Sequence, residues 1–549
     1  MGSESDSHTV SADPVPSPAP NDGRALAPAS LPLRIRVLTF FRAHGIEVAL
    51  VVALAALTLF VRLVRLEPIE NGGDPLDNWY FVRQWAYDND PGRARLDHHA
   101  SRFGIHWITW IAQTLFGTHP RVYYVPQLFA STVATLLTYA LGRLVSGRLV
   151  GLVAAALLLE CPPFVSASSQ LRPGIFQTMY ALAAAVCLVR YVDRQGRAAL
   201  AWVSASALFI FLAYLSHEPS AFLAPGAMLV VWLKRRNVRD LLAFSAVLGG
   251  LVLAETAAYA IFTQYWSRVD VLRGSHLTQP APPRTFGYLF ERFTEAGPAI
   301  KLAYYPFFVA GPLLLVLRRP LRERAVVLLA ASFLFFATFF VRSVDPIVTF
   351  LAVADRYILV AVPLAYVATL QCLVVVTRAA MARVAPGVSF ERVPRWLPRA
   401  LGSAGAVALM ALVAWRAESL ARRPHPFRTL DAIYDTLNDT YRRRLPIIGR
   451  VTARKSSRRG TLVQVRALHW VHKGFLKDEF FVENGRLPDF KYADLARLSK
   501  NERYLPNAPE LDAKRVESLE KLGCALRLEN RGPFIVMSRQ KRFPSRCRP

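Results

Sequence analysis

The chain has 549 residues, 53% of them hydrophobic and gathered in long runs, which excludes a protein built on one soluble globular core. A formal net charge of +28 would point a soluble protein toward nucleic acid. Here the excess lies in short loops between apolar runs and in the C-terminal region, where 29 basic residues face 15 acidic ones from Glu418 onward, so a bilayer with anionic lipids explains it better and nucleic acid is the poorer partner.

Residues 1–30 are rich in Ser, Pro, Ala and Asp without an apolar core, and read as a disordered tail with no cleavable signal. A basic amphipathic segment, Leu31–His44, is expected on the cytoplasmic interface. Membrane-length apolar runs then follow near 46–64, 122–142, 149–165, 174–191, 199–215, 219–233, 241–263, 301–317, 325–341, 357–377 and 401–417. Two are weak: the third is interrupted by Glu160 and Pro162-Pro163, the sixth carries Pro219 and Pro225. The fold class is a polytopic all-α membrane protein of about 11 transmembrane helices, residues 31–417, with a small C-terminal α+β extramembrane domain at 418–549. In that domain a helix is expected at Leu511–Leu522 and a strand pair at Cys524–Leu528 and Phe534–Ser538 around Glu529-Asn-Arg-Gly532.

Orientation follows from Lys and Arg. Arg143 and Arg148, then Arg190, Arg194 and Arg197, then Lys234, Arg235, Arg236 and Arg239, then Arg318, Arg319, Arg322 and Arg324, then Arg378 through Arg399 fall in alternate loops. The opposite short loops, Ser166–Arg172 and Ser216–Glu218, hold almost none. This places the N-terminus in the cytoplasm and, with an odd number of spans, the C-terminal domain outside. The Arg- and Ala-rich composition suggests a bacterial genome, so the compartment is the periplasmic side of the inner membrane. Cys187 and Cys372 read as core residues and Cys161 as a helix-end residue; a disulfide between Cys524 and Cys547 is open, and their spacing shows no zinc pattern.

The long outside loops are 65–120, 264–300 and 342–356. The first holds Asp74 and Asp77, then Asp97, His98 and His99, then Arg102, with helical patterns at Asn78–Tyr87 and Ile105–Phe116 whose tryptophans suit the interface. Two carboxylates at a membrane surface repel each other, which suits a base or a metal ligand; the alternative is a turn, since Asp-Pro and Asn-Gly are common turn formers. A histidine pair beside an aspartate can hold a divalent metal or a phosphate, although adjacent helical residues do not share a face, and a polar interfacial loop is the alternative. Arg172, at the mouth of a helix opened by Pro173-Gly174, is placed to grip an anionic headgroup or to snorkel. Ser216, His217 and Glu218 are better read as a polar helix break facing the same cavity than as a hydrolytic triad, whose members meet through space. Asp355, Arg356 and Tyr357 head the tenth span, where an arginine must pair with an acid or a phosphate. Gln264, Tyr265, Trp266, Arg268 and Arg273 form an aromatic-basic mix that suits sugar and phosphate, or an ordinary interfacial belt.

Over most of 46–377 this pattern resembles the GT-C superfamily of polyprenyl-phosphate-sugar-dependent glycosyltransferases, with protein O-mannosyltransferases and the lipid A aminoarabinose transferase as nearest branches. The resemblance rests on Gly73-Asp74-Pro-Leu-Asp77-Asn-Trp-Tyr80, Arg102-Phe-Gly followed by Trp107–Gly117, Leu141-Gly-Arg with Gly147-Arg148, Arg172-Pro173, and Arg356-Tyr357 with Pro363. The acids are spaced three apart where the family often has an adjacent pair, Gly174 stands where relatives often carry an acid, and Ser216-His-Glu replaces a commoner lysine-bearing segment. The Asp-Pro, Asn and aromatic sequence is also similar to oligosaccharyltransferase catalytic subunits. The resemblance implies an inverting transfer from a polyprenyl-phosphate sugar to a glycan, lipid or protein acceptor, with Asp74 or Asp77 as base and Arg356 and Arg172 neutralising the leaving phosphate. Arg102, His217, Glu218 and Tyr357 complete the expected substrate site. It also admits a divalent cation, Mg or Mn, at Asp74, His98 and His99, with no other cofactor. Alternatives are a ligase of the same fold, separated by its diphosphate donor, and a transporter or flippase of envelope lipids, which would show mid-span charges and repeat symmetry.

Overall fold

The computed structural model describes residues 33–67, 75, 78–79, 81–82, 101–117, 119–235, 238–263, 265–272, 287, 291, 297–317, 319–339, 341–344, 347–349, 358–384, 396–421, 461–464, 526–531 and 534–539. The chain divides into two compact units, Met1–Ala53 and Leu54–Pro549, and the boundary falls within the first helix.

That helix, α1 (Leu33–Val64), is continuous, so the basic segment and the first span form one element. Then follow α2 (Phe103–Phe116), α3 (Val125–Ser146), α4 (Arg148–Glu160), the short α5 (Pro162–Ala167), α6 (Pro173–Val192), α7 (Gly196–Ser216), α8 (Leu223–Arg235), α9 (Val238–Phe262), the one-turn α10 (Arg268–Leu272), α11 (Pro298–Val316), α12 (Leu321–Phe339), α13 (Ala361–Val384) and α14 (Trp396–Ser419). All eleven expected spans fall on helices. Among the described residues six helices are long and apolar enough to cross a membrane: Gly45–Val64, Arg121–Ser146, Pro173–Val192, Gly196–Ser216, Val238–Phe262 and Ala361–Met381. The other five are shorter or less apolar, so a multi-pass membrane protein stands while the count of eleven is not thereby fixed.

Sequence chemistry explains the elements. α3 hides its threonine hydroxyls on its own backbone: Thr132, Thr135 and Thr138 donate to the carbonyls of Leu128, Ser131 and Ala134 at 2.8–2.9 Å. The turn between α3 and α4 needs Gly147, whose φ is 107°. Pro173 opens α6 at its first position, as the sequence indicates. The expected interruption at Glu160 and Pro162 is real: α4 stops and α5 begins after Cys161. α6 is the axis of the core, with 78% of its span buried, and packs on α3, α7 and α12; α9, 6% buried, is peripheral.

The basic turns gather at one end of the bundle. Lys234 in the last turn of α8 donates to the carbonyls of Tyr191 (2.5 Å) and Arg194 (2.6 Å), and the Tyr191 hydroxyl donates to Asp240 at 2.9 Å. At the other end Glu160 pairs with both Arg65 after α1 and Arg416 near the close of α14, each at 3.2 Å. The last described helix therefore finishes at the same end as the first loop begins.

Two small sheets complete the described residues. β1 (Val341–Val344) and β2 (Ile347–Thr349) make an antiparallel hairpin within the third outside loop, where no strand was expected. β3 (Thr461–Gln464), β4 (Leu526–Arg531) and β5 (Phe534–Arg539) form an antiparallel sheet in the order β3-β5-β4. The expected strand pair is present, with both strands ending later. The helix expected at Leu511–Leu522, the residue 1–30 tail and the cysteines Cys524 and Cys547 lie outside the described residues.

Candidate functional site

The site is assembled where loops leave the helices at the end opposite the basic turns. Leaving α1, Arg65 meets Glu160, and the Glu67 carboxylate accepts from the Ser166 hydroxyl at 2.7 Å while its own N–H donates to Ser169 at 3.1 Å. The backbone carbonyl of Glu67 receives the Tyr124 hydroxyl at 3.0 Å. The start of the first loop is thereby sewn to the loop between α5 and α6.

The same loop returns a few residues later. Asn78 is fully buried and donates to the Leu171 carbonyl at 2.8 Å. The Leu171 N–H donates in turn to the Tyr123 hydroxyl at 3.0 Å, and Gln113 of α2 donates to the Trp79 carbonyl at 3.2 Å. Trp79, fully buried, sets its ring edge-on to Tyr123 with centroids 5.8 Å apart. Pro75, between the two acids, is buried as well. These contacts hold Asn78 and Trp79 against Leu171, the residue before Arg172, which heads α6.

A second constellation sits at the α7 break. Gly104 in the first turn of α2 packs so closely on α7 that a Cβ there would lie 2.2 Å from the Ser216 hydroxyl and 2.6 Å from its backbone nitrogen. The Tyr180 hydroxyl of α6 donates to the Gly104 carbonyl at 3.1 Å. Arg102 is thus drawn beside His217 and Glu218. Glu218, which opens a 3-10 turn (Glu218–Phe222), accepts from Arg268 Nη2 at 2.7 Å and Nε at 3.0 Å. Arg268 is 1% exposed; its Nη2 also reaches the Leu215 carbonyl at 3.4 Å, its Nη1 stands 3.6 Å from Glu255 of α9, and its guanidinium lies 5.0 Å from the Tyr214 ring centroid.

Burial sets the charges here. It works against the Glu218 carboxylate, but the guanidinium of Arg268, helped by His217 and Arg102, outweighs it and holds Glu218 at about 2. Burial likewise opposes the Arg268 charge, and Glu218, Tyr214, Glu255 and Tyr259 together more than restore it, so this arginine stays protonated. Burial, reinforced by Arg102 and Arg268, pulls His106 on the buried face of α2 down to about 3, which leaves a neutral imidazole at neutral pH.

Of the residues expected from sequence, the structure brings Arg102, His217 and Glu218 together and places Arg172 at the α6 mouth next to the Asn78 contact. Asp74, Asp77, His98, His99, Arg356 and Tyr357 lie outside the described residues. Among the described residues no group of three or more His, Cys, Asp or Glu sits together as a metal site. Arg268, expected on an aromatic-basic loop, is instead clamped inside by Glu218, while Trp266 remains exposed. Sequence reasoning did not single out Glu255, His106 or Arg62. Each lies in an apolar stretch, and the one available signal was an ionisable residue inside such a stretch.

Residues 98–259 match the family model described as dolichyl-phosphate-mannose-protein mannosyltransferase. No curated protein sequence matches the chain. Among solved structures, the chain is similar to ArnT from Cupriavidus metallidurans in the apo state, at 12% identity with 90% of this chain and 98% of that chain covered and a TM-score of 0.51. It is similar to the same protein bound to undecaprenyl phosphate, at 13% identity, with 92% and 99% covered and a TM-score of 0.51. At such identity the likeness shows the fold alone: the chain shares the helical architecture of these two structures.

Proposed function

We propose that this protein is an inverting glycosyltransferase that moves a sugar from a polyprenyl-phosphate donor to an acceptor at the periplasmic face of a bacterial inner membrane, with its N-terminus in the cytoplasm. The observation that carries the reading is the Asn78–Leu171 hydrogen bond of 2.8 Å. It joins the chain neighbours of Asp77 and of Arg172, the carboxylate base and the phosphate-neutralising cation of the proposed transfer.

The reaction is a single displacement. Asp74, or Asp77, takes the proton of the acceptor hydroxyl while that oxygen attacks the anomeric carbon. The bond from this carbon to the phosphate oxygen breaks, its electron pair leaves with the polyprenyl phosphate, and the configuration inverts. A phosphate leaving group needs little protonation, so Arg172 and Arg356 assist by neutralising its charge. Arg102 and His217 complete the anionic side of the pocket. Glu218 acts through Arg268, which it already holds. A divalent cation at Asp74, His98 and His99 would add charge neutralisation on the acidic loop. The ArnT structure with undecaprenyl phosphate supports a lipid-phosphate donor by its fold.

The test is Asp74→Asn in cells and in purified protein. Transfer of labelled sugar from a polyprenyl-phosphate donor is expected to vanish while membrane insertion persists. Full activity in that variant removes Asp74 as the base. Mass spectrometry of envelope lipids and glycans from cells with and without the protein identifies the product.

A further inference from the structure

A cavity of about 400 Å³ lies between α7, α9 and the start of α2, walled by Phe103, Phe211, Leu215 and Ala258, with Glu255, Tyr259 and Thr263 as its polar members. The size falls within the ~300–1,000 Å³ of small-molecule sites. Three lining residues of its α9 wall, Ala254, Ala258 and Phe262, are exposed, Phe262 by 78%, so the cavity opens on the outside of the helices, toward bilayer hydrocarbon. Glu255 sits seven residues before the end of α9, roughly 10 Å inside the span. Its side chain is 8% exposed. A carboxylate at that depth needs a partner. Among the described residues its ion-pair partner is Arg268, at 3.6 Å, and Arg268 spends two hydrogen bonds on Glu218. Tyr214 also hydrogen-bonds the Glu255 side chain, yet among the described residues Glu255 Oε1 has no hydrogen-bond partner, which leaves acceptor capacity on the wall of an apolar cavity.

We propose that this cavity binds one hydrocarbon chain of a lipid whose first polar group is a hydrogen-bond donor, a hydroxyl or an ammonium, received by Glu255. The same carboxylate repels a phosphate at that position, so the chain belongs to the acceptor and not to the polyprenyl-phosphate donor. Only this last assignment rests on the transfer reaction proposed above; binding does not.

The experiment uses the purified full chain in nanodiscs and two photoreactive probes with the same diazirine-bearing acyl chain, a monoacylglycerol and a lysophosphatidic acid. Cross-linked peptides are mapped by mass spectrometry. The monoacylglycerol is expected to label residues 211–215 and 251–263 about tenfold more than the phosphate-headed probe. Ala258→Trp, which fills the cavity from its lipid side, should remove that labelling, and Glu255→Gln should bring the two probes level. Equal or stronger labelling by lysophosphatidic acid in the unaltered protein overturns the proposal, as does labelling that Ala258→Trp leaves unchanged. If Glu255→Gln does not fold, these two comparisons decide. Labelling is read without turnover, so its failure is distinct from a failure of sugar transfer.

Discussion

Arg268→Met probes the buried charge cluster most directly. In the native protein one guanidinium, 1% exposed, donates twice to Glu218 at 2.7 and 3.0 Å and stands 3.6 Å from Glu255. Methionine of similar length fills much of the space but strands two carboxylates away from water. Breaking a buried ionic cluster by removing one partner costs about 3–5 kcal/mol, chiefly because the survivors remain buried and uncompensated. Arg268→Met/Glu218→Gln strands only one acid and should recover part of that loss. Arg268→Met/Glu218→Met/Glu255→Leu strands none, and replacement of a whole buried ionic group by apolar side chains is neutral or stabilising by about 1–4 kcal/mol. The order of stability is therefore the triple variant at or above the native protein, then the double, then the single. The assay is denaturant unfolding in mixed micelles followed by tryptophan fluorescence. The cluster also gives the native protein a pH signature. The Glu218 pKa of about 2 lies below an unfolded value of about 4.3, so its stabilisation is whole above the higher value and is lost as pH falls through the lower one. A single variant within about 0.5 kcal/mol of native, or a triple variant as unstable as the single, refutes the desolvation argument.

Two further substitutions test the joint between α2 and α7. In Gly104→Ala the new Cβ would stand 2.2 Å from the Ser216 hydroxyl and 2.6 Å from its backbone nitrogen, where ordinary contact begins at 3.4 Å. Overpacking of this kind costs about 1–3 kcal/mol, so sugar transfer should fall sharply in protein that still inserts; native activity and stability would show that the two helices separate freely. His106 titrates near 3 when folded and near 6.5 when unfolded, so the unfolded chain binds the extra proton and stability declines as pH falls between those values. His106→Gln should flatten that decline by up to one proton, about 1.4 kcal/mol per pH unit, and an unchanged slope in unfolding measurements from pH 7 to pH 4 contradicts a buried neutral imidazole.

Hydropathy made the helices legible because a run of apolar residues has one way to satisfy its backbone in lipid, and Pro173, Gly147 and the Glu160–Pro163 interruption marked where helices begin, turn and stop. The strand pair near the C-terminus was legible from its apolar pattern, but the turn expected over Glu529–Gly532 was set too early, since Glu529, Asn530 and Arg531 still pair with β5. The meeting of Arg102 with His217 and Glu218 was legible only in outline, through the polar helix break read as facing the same cavity as the first loop. Nothing local in the sequence joins residues more than a hundred positions apart. Arg268 looked like an interfacial residue because Trp266 beside it is one; the acid that claims it is 50 residues away. Glu255 was lost inside the hydropathy average of α9, where two carboxylates, Asp240 and Glu255, among twenty-five residues scarcely lower the mean.

Both helix breaks near the site share a device that no local pattern discloses. Where α4 stops before Cys161, the freed carbonyls of Leu159 and Leu158 receive Arg62 at 3.1 and 3.4 Å, and the same guanidinium donates to Ser131 at 3.1 Å. Where α7 stops before His217, the Leu215 carbonyl receives Arg268 at 3.4 Å. A helix terminus leaves carbonyls without partners and carries partial negative charge, and in a membrane protein water is not at hand to satisfy either. An arginine from a distant segment answers both needs with one planar group of five donors. The consequence reaches the site. Each capped break releases a short polar segment, Ser166–Arg172 after the first and His217–Glu218 after the second, at the same end of the bundle. The chain obtains non-helical backbone beside lipid without orphaned carbonyls, and it is on this backbone that Arg172 and His217, the groups proposed to meet substrate, are carried.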